Sequence, residues 1–218
     1  MLRPRRGTGG EWVSGLAVSG PPCKRGGRLP WCRMAVRHIA RLGHPVLRQV
    51  AAPVPPADIA GPAIQALIRD LHDTVHEVEG AGLAAPQIHE SLRVVVLQLL
   101  PGQPFLTWVN PVLTPLSDET AVGPEGCLSV PGLRGSVRRH LHLRVEGLDA
   151  AGEPFTLELR GFPAVVAQHE CDHLDGVVYT DRVEPRTLAF LEEHRRFVAP
   201  RPPAPRPAAP AAGDLETE

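Results

Sequence analysis

Two histidines four residues apart, His169 and His173, follow an apolar run of Ala164, Val165, Val166 and Ala167. An α-helix returns to the same face within four residues, so in a helix the two imidazoles stand one turn apart on one side. In a strand the same spacing pulls them far apart. A chain that uses the pair must therefore build a helix there, with its apolar side turned inward. The pattern predicts that helix over Phe162 to Leu174, closed by Gly176. Glu170 beside the first histidine completes the string His-Glu-x-x-His. In that string two imidazoles grip one metal ion, and the carboxylate takes a proton from metal-bound water. Such a string also arises on helix surfaces that bind no metal. His38, His44, His72, His76, His89, His140, His142 and His194 lack a partner pattern and read as surface or structural residues.

A metal centre of this type needs a third protein ligand and one open position. Cys127 in Glu125-Gly126-Cys127-Leu128-Ser129 is the candidate, set in a loop between Gly123-Pro124 and Pro131-Gly132. Metal binding lowers a thiol pKa, so it ligates as the anion. A buried structural cysteine is the plainer alternative. Cys171 is the rival ligand, but helix geometry places it about 200° around from His169, packed inside. The third segment, residues 80–88, reads as a loop of glycine and alanine after a helix. Gly82 there allows close backbone approach, and Gln87 offers an amide donor toward a developing oxyanion.

The rest of the pattern is mixed. Residues 62–79 read as a helix with Ile64, Leu67, Ile68, Leu71 and Val75 on one face. Strands are expected over 93–99, over 105–109 with an end at Asn110-Pro111, over 141–148 and over 155–160, the last two joined by a turn at 149–152. A third helix is expected over 186–197. Helices and strands are segregated, which gives an α+β fold. The expected form is small antiparallel sheets packed around a central metal-binding helix.

Proline, glycine and charge bound the folded body to residues 34–198. Residues 1–33 hold seven basic residues against Glu11 and seven glycines without helical period. They read as a disordered or non-native extension ahead of Met34, with a targeting segment as the alternative. Residues 199–218 carry six prolines among alanines and read as a disordered tail. The extension carries a charge of +6, the body −6 and the tail −1. An acidic body argues against nucleic-acid binding. No apolar run approaches the roughly 18 residues of a membrane span. Four cysteines form no disulfide framework, so a reducing, cytoplasmic setting is expected.

Three segments taken together resemble peptide deformylase of the bacterial type, over about residues 34–197. They are Gly80-Ala-Gly-Leu-Ala-Ala-Pro-Gln87, Glu125-Gly-Cys-Leu-Ser129 and Gln168-His-Glu-Cys-Asp-His-Leu-Asp-Gly176, in the family's order. Ile39 to Leu47 is similar to the family's opening. The resemblance implies a metal-dependent hydrolase that removes the formyl group from formyl-methionine of nascent polypeptides and releases formate. It implies Cys127, His169 and His173 as ligands of one Fe²⁺, which Ni²⁺, Co²⁺ or Zn²⁺ can replace. It implies Glu170 as general base and acid, and Gln87 with the Leu128 N–H as oxyanion donors. Gly82, Gly126, Phe162, Val165, Val166 and Arg134 are implied to contact the substrate, although the three apolar residues read equally well as core. Glu125 and Arg139 are implied to form a structural ion pair. A monomer is expected, with transient ribosome contact, no specific nucleic acid and no membrane. His89 departs from the small or acidic residue usual at its place. Ala81 and Gly123 are small for positions that help close the pocket, which predicts a roomier one. The rival reading is a zinc peptidase of the His-Glu-x-x-His type, with Glu184, Glu192 or Glu193 as third ligand.

Overall fold

The computed structural model describes residues 36–198. The expectations for residues 1–33 and 199–218, and those for Cys23 and Cys32, lie outside that range. The chain runs through the turn α1 (Pro56–Ile59), helix α2 (Pro62–Glu77) and strands β1 (Gly82–Ala84), β2 (Val94–Leu97) and β3 (Leu106–Pro115). Strands β4 (Thr120–Cys127), β5 (Val130–His140), β6 (His142–Leu148) and β7 (Pro154–Arg160) follow, then helix α3 (Phe162–Leu174) and strand β8 (Ala189–Phe190). The pairings are antiparallel, in one sheet ordered β1-β2-β3-β6-β7 and another ordered β4-β5-β8.

Strand β2 explains the layering. Its four residues are all buried. Val94 and Val96 face one cluster with Leu67, Leu71 and Val75 of α2. Val95 and Leu97 face another with Ala164, Ala167 and Leu174 of α3. Side chains alternate across a strand, so a sheet covered by a helix on each face needs an unbroken apolar run at its centre. Val95 pairs with Trp108 across the ladder, and the indole packs into the α3 cluster. Together α3 and the sheet fix where the histidines stand.

Helix α2 begins at Pro62, where a missing N–H costs nothing. Helix α3 likewise carries Pro163 in its first turn. Past its end, Gly176 adopts φ 71°, and a Cβ there would meet the backbone of Arg48 at 2.9 Å. The stop is therefore a packing requirement as well as a conformational one.

Four local expectations are corrected. The strand expected to end at Asn110-Pro111 continues to Pro115 through a register shift between Val109 and Val112. Asn110 takes the left-handed conformation at φ 52°. Its side chain accepts from the Val54 N–H at 2.9 Å and donates to the Val54 carbonyl at 2.8 Å, which repairs the interruption. The segment around Cys127 is a hairpin of two long strands rather than a loop. Residues 82–88 form a short strand and a 3-10 turn rather than a plain loop. The helix expected over 186–197 forms only from Leu191 on, and the residues before it make a 3-10 turn and the two-residue β8. Before that helix, Leu133 and Arg134 of β5 pair with Phe190 and Ala189, and the ladder overrides the local helix propensity.

Candidate metal centre

Helix α3 presents His169 and His173, whose rings lie 5.3 Å apart at 84°. The end of β4 brings Cys127 to them from another sheet. One ligating atom from each of the three lies within 4.8 Å of the others, the one such group of three among the described residues. Cys127 Sγ is 3.2 Å from His173 Nε2. It accepts from the Gln87 amide at 3.4 Å and from the Ser129 N–H at 3.4 Å. Gln87 is itself fixed, accepting from the Ala84 N–H at 2.8 Å and donating to Ser129 Oγ at 3.1 Å.

A buried network orients the first histidine. His169 Nδ1–H donates to Glu125 at 2.8 Å, which leaves Nε2 for the site. Arg139 grips Glu125 through two hydrogen bonds of 2.7 and 3.0 Å and reaches Asp172 at 2.6 Å. Arg182 binds Asp172 from outside at 2.8 and 2.9 Å. Burial alone would raise the Glu125 pKa, but the bonds from Arg139 and His169 overcome it and hold the carboxyl at about 2. Burial opposes charge on His169, yet the neighbouring Cys127 and Glu125 raise its pKa to about 10. A proton there meets the same negative charge that a cation would meet. Burial lowers the His173 pKa well below its usual value, so this imidazole is neutral. One cysteine sulfur and two imidazoles make a donor set that suits a divalent transition metal once it replaces the His169 proton.

Glu170 stands beside these donors, and burial raises its pKa to about 7. Its Oε2 is buried and has no hydrogen-bond partner. A buried unsatisfied carboxylate oxygen is costly, and a fold that keeps one marks a group at work. Gly82 makes its position possible. A Cβ at Gly82 would lie 2.5 Å from Glu170 Oε1 and 2.8 Å from its Cγ. Gly82→Ala therefore pushes the carboxylate aside. A displacement of this size costs about 100-fold in rate, to be read as kcat/KM at unchanged metal content.

The site opens into a cleft of about 390 Å³. Phe162, Val165 and Val166 of α3 line one wall, and Gly126, Leu128 and Arg134 of the hairpin line the other. Gly82, Gln87, Glu125, Cys127, His169 and Glu170 also border it. His173 and Arg139 lie behind the wall and are buried. Ala81 borders the cleft, while Gly123 pairs with Val137 in the hairpin. Cys171 is buried away from the three donors, and burial pushes its thiol pKa up.

Sequence reasoning missed four contributors. Ser129 ties Gln87 to the cysteine strand. Asp172 anchors Arg139. Tyr179 stacks on His169 with ring centres 6.2 Å apart. Leu191 closes the cleft from the segment after β8. Asp172 carried a signal, being a second acid between the two histidines on a helix whose first turns, Phe162 to Ala167, are apolar. The downstream acids of the peptidase reading stand elsewhere. Glu184 faces Arg138 at 3.6 Å, and Glu192 and Glu193 are exposed.

A His-Glu-x-x-His helix completed by a cysteine from a neighbouring sheet defines a metallohydrolase centre. The sequence matches the model of the polypeptide deformylase family over residues 36–189. It is 47% identical over 170 residues to peptide deformylase 1 of Prochlorococcus marinus, covering 73% of this chain and 88% of the relative. It is 45% identical over 160 residues to peptide deformylase 1 of Bordetella pertussis, covering 70% and 90%. Among solved structures, the Met-Ala-Ser-bound class I type b peptide deformylase of Acinetobacter baumannii has a TM-score of 0.66 at 34% identity, covering 69% of this chain and 100% of that one. The peptide deformylase of Thermotoga maritima has a TM-score of 0.64 at 35% identity, covering 69% and 99%. The chain belongs to the polypeptide deformylase family.

Proposed function

We propose that this chain hydrolyses the formyl amide of N-formylmethionyl peptides and releases formate. The observation that carries the reading is the buried, unpartnered Glu170 carboxylate beside a Cys-His-His donor set at the floor of an open cleft. Cys127, His169 and His173 would hold one divalent ion, which we read as Fe²⁺. When bound, the ion polarises the formyl carbonyl and lowers the pKa of a water molecule. Glu170 takes a proton from the attacking water and returns it to the departing amine, a role suited to a pKa of about 7. The Gln87 amide and the Leu128 N–H donate to the oxygen on which negative charge develops. Phe162, Val165 and Val166 hold the methionine side chain, and Arg134 meets the peptide backbone. Glu125 and Arg139 keep His169 in one tautomer and one orientation. The alanine at 81 leaves room beside the methionine side chain, so norleucine and leucine substrates should be poorly discriminated from methionine.

The test is formate release from formyl-Met-Ala-Ser by the metal-loaded protein, beside Cys127→Ser. A hydroxyl is a poor substitute for a thiolate ligand, so Cys127→Ser loses both its metal and its activity. A peptidase that ligates through Glu184, Glu192 or Glu193 would keep its metal in that variant. Absence of formate from a protein holding one metal ion per chain would overturn the deformylase reading.

A further inference from the structure

Three exposed imidazoles meet beside the turn that carries Gln87. His38 and His44 come from the N-terminal segment, and His89 ends the 3-10 turn of residues 85–88. The rings of His44 and His89 lie 4.7 Å apart at 76°, and those of His38 and His89 lie 5.9 Å apart. At the Cys-His-His centre the two rings are 5.3 Å apart at 84°. The surface separations straddle that value; the His44–His89 tilt is close to it, while the His38 and His89 rings are nearly parallel at 22°. His89 caps that turn in the left-handed conformation at φ 71°, its N–H donating back to the Ala85 and Pro86 carbonyls. Its side chain is exposed.

We propose that His38, His44 and His89 form a second site for a divalent transition metal ion of the zinc, nickel or copper class. Neutral imidazole suits these ions, and water completes the coordination of an exposed site. The donor nitrogens are less converged than those of the first centre, and the exposed rings reach one ion by turning about their side-chain torsions. Burial, and then His44, His38 and Arg37, lower the His89 pKa, which favours the neutral ligand. Arg37 does not stand against the ion as a bare charge, because it binds Asp70 at 2.8 Å and Glu90 at 3.0 Å. Glu90 adds a carboxylate beside His89.

The consequence is a staple. The segment is joined to the site by the Ala40 N–H donating to the Gln87 carbonyl at 2.7 Å and the Leu42 N–H donating to the Ser129 carbonyl at 2.8 Å. Metal at the three histidines would fasten the same segment to the Gln87 turn a third time. Ligation has a built-in reporter. His44 Nδ1 accepts from the Val46 N–H at 3.2 Å, so the neutral ring carries its proton on Nε2. Binding a metal through either nitrogen ends that hydrogen bond.

The experiment dialyses the full chain against Zn²⁺ near neutral pH, counts bound zinc, and follows the Val46 amide by NMR. The parent is expected to hold two equivalents and to shift the Val46 signal. His89→Gly, which accepts the same backbone conformation, is expected to hold one equivalent, leave Val46 unmoved and keep the parent rate of formate release. In a Cys127→Ser background the first equivalent is lost and the second stays, so the two centres are scored separately. A parent that holds one equivalent overturns the proposal, as does a second equivalent undiminished in His89→Gly.

Discussion

Glu170→Gln is expected to lower the rate of formate release by about 10²–10⁴-fold, the usual worth of a positioned general acid or base. The amide keeps the shape of the carboxylate and should sit against Gly82 as Glu170 does. It cannot take a proton from water. The three donor residues are untouched, so the variant is expected to keep the metal content of the parent. Its thermal midpoint is expected to equal or exceed that of the parent, because a carboxylate buried without a partner is costly. This combination separates chemistry from architecture. A variant that lost metal or stability together with activity would show Glu170 to be structural. A variant with a raised KM and an unchanged kcat would show it to bind substrate rather than to move protons.

Arg139→Met is expected to destabilise the fold by about 3–5 kcal/mol, the cost of breaking a buried charge network from one side. The Arg139 side chain is 4% exposed and holds Glu125 and Asp172 together. Methionine fills the space but leaves both carboxylates facing each other indoors. Urea titration measures the loss. Metal affinity is expected to fall as well, by about 10–100-fold, because Glu125 no longer holds His169 firmly. The pH dependence carries the same information. Glu125 is held at about 2 in the fold, against about 4.3 in an unfolded chain. Its contribution is therefore full above the unfolded value and is lost as pH falls toward 2. Without Arg139 the folded value rises, and the acid-dependent loss should shrink. Pairing Arg139→Met with Glu125→Gln is expected to recover part of the stability, since one unpaired charge is then gone.

What could be read locally was read well. Helix α2 and the hairpin of β6 and β7 announce themselves through apolar period and a turn of Asp149 and Gly152. The β4–β5 hairpin did not, because Gly123, Pro124, Gly126, Pro131 and Gly132 mimic a loop. Those residues tolerate a strand because much of the hairpin is exposed and its register breaks between Glu125 and Cys127. The segment over 186–197 misled in the opposite sense. Its leucines, alanine, glutamates and arginines favour a helix, yet Phe190 is 70% exposed, and pairing with β5 decides the backbone at Ala189 and Phe190.

The sequence by itself determined the helix of His169, Glu170 and His173, because a four-residue spacing on an apolar segment is a statement about neighbours one turn apart. The three family motifs, in order, determined the chemistry to expect. Only the tertiary structure decided which cysteine meets the histidines. Cys127 contacts a histidine 46 residues away, and Gln87 reaches a sulfur 40 residues away. It also decided that Glu125, Arg139, Asp172 and Arg182 form one chain of charges, and that three unpatterned histidines share one patch of surface. Local periodicity holds no record of such meetings. They follow from sheet register and from the packing of two helices on opposite faces of one sheet, where many distant contacts act together.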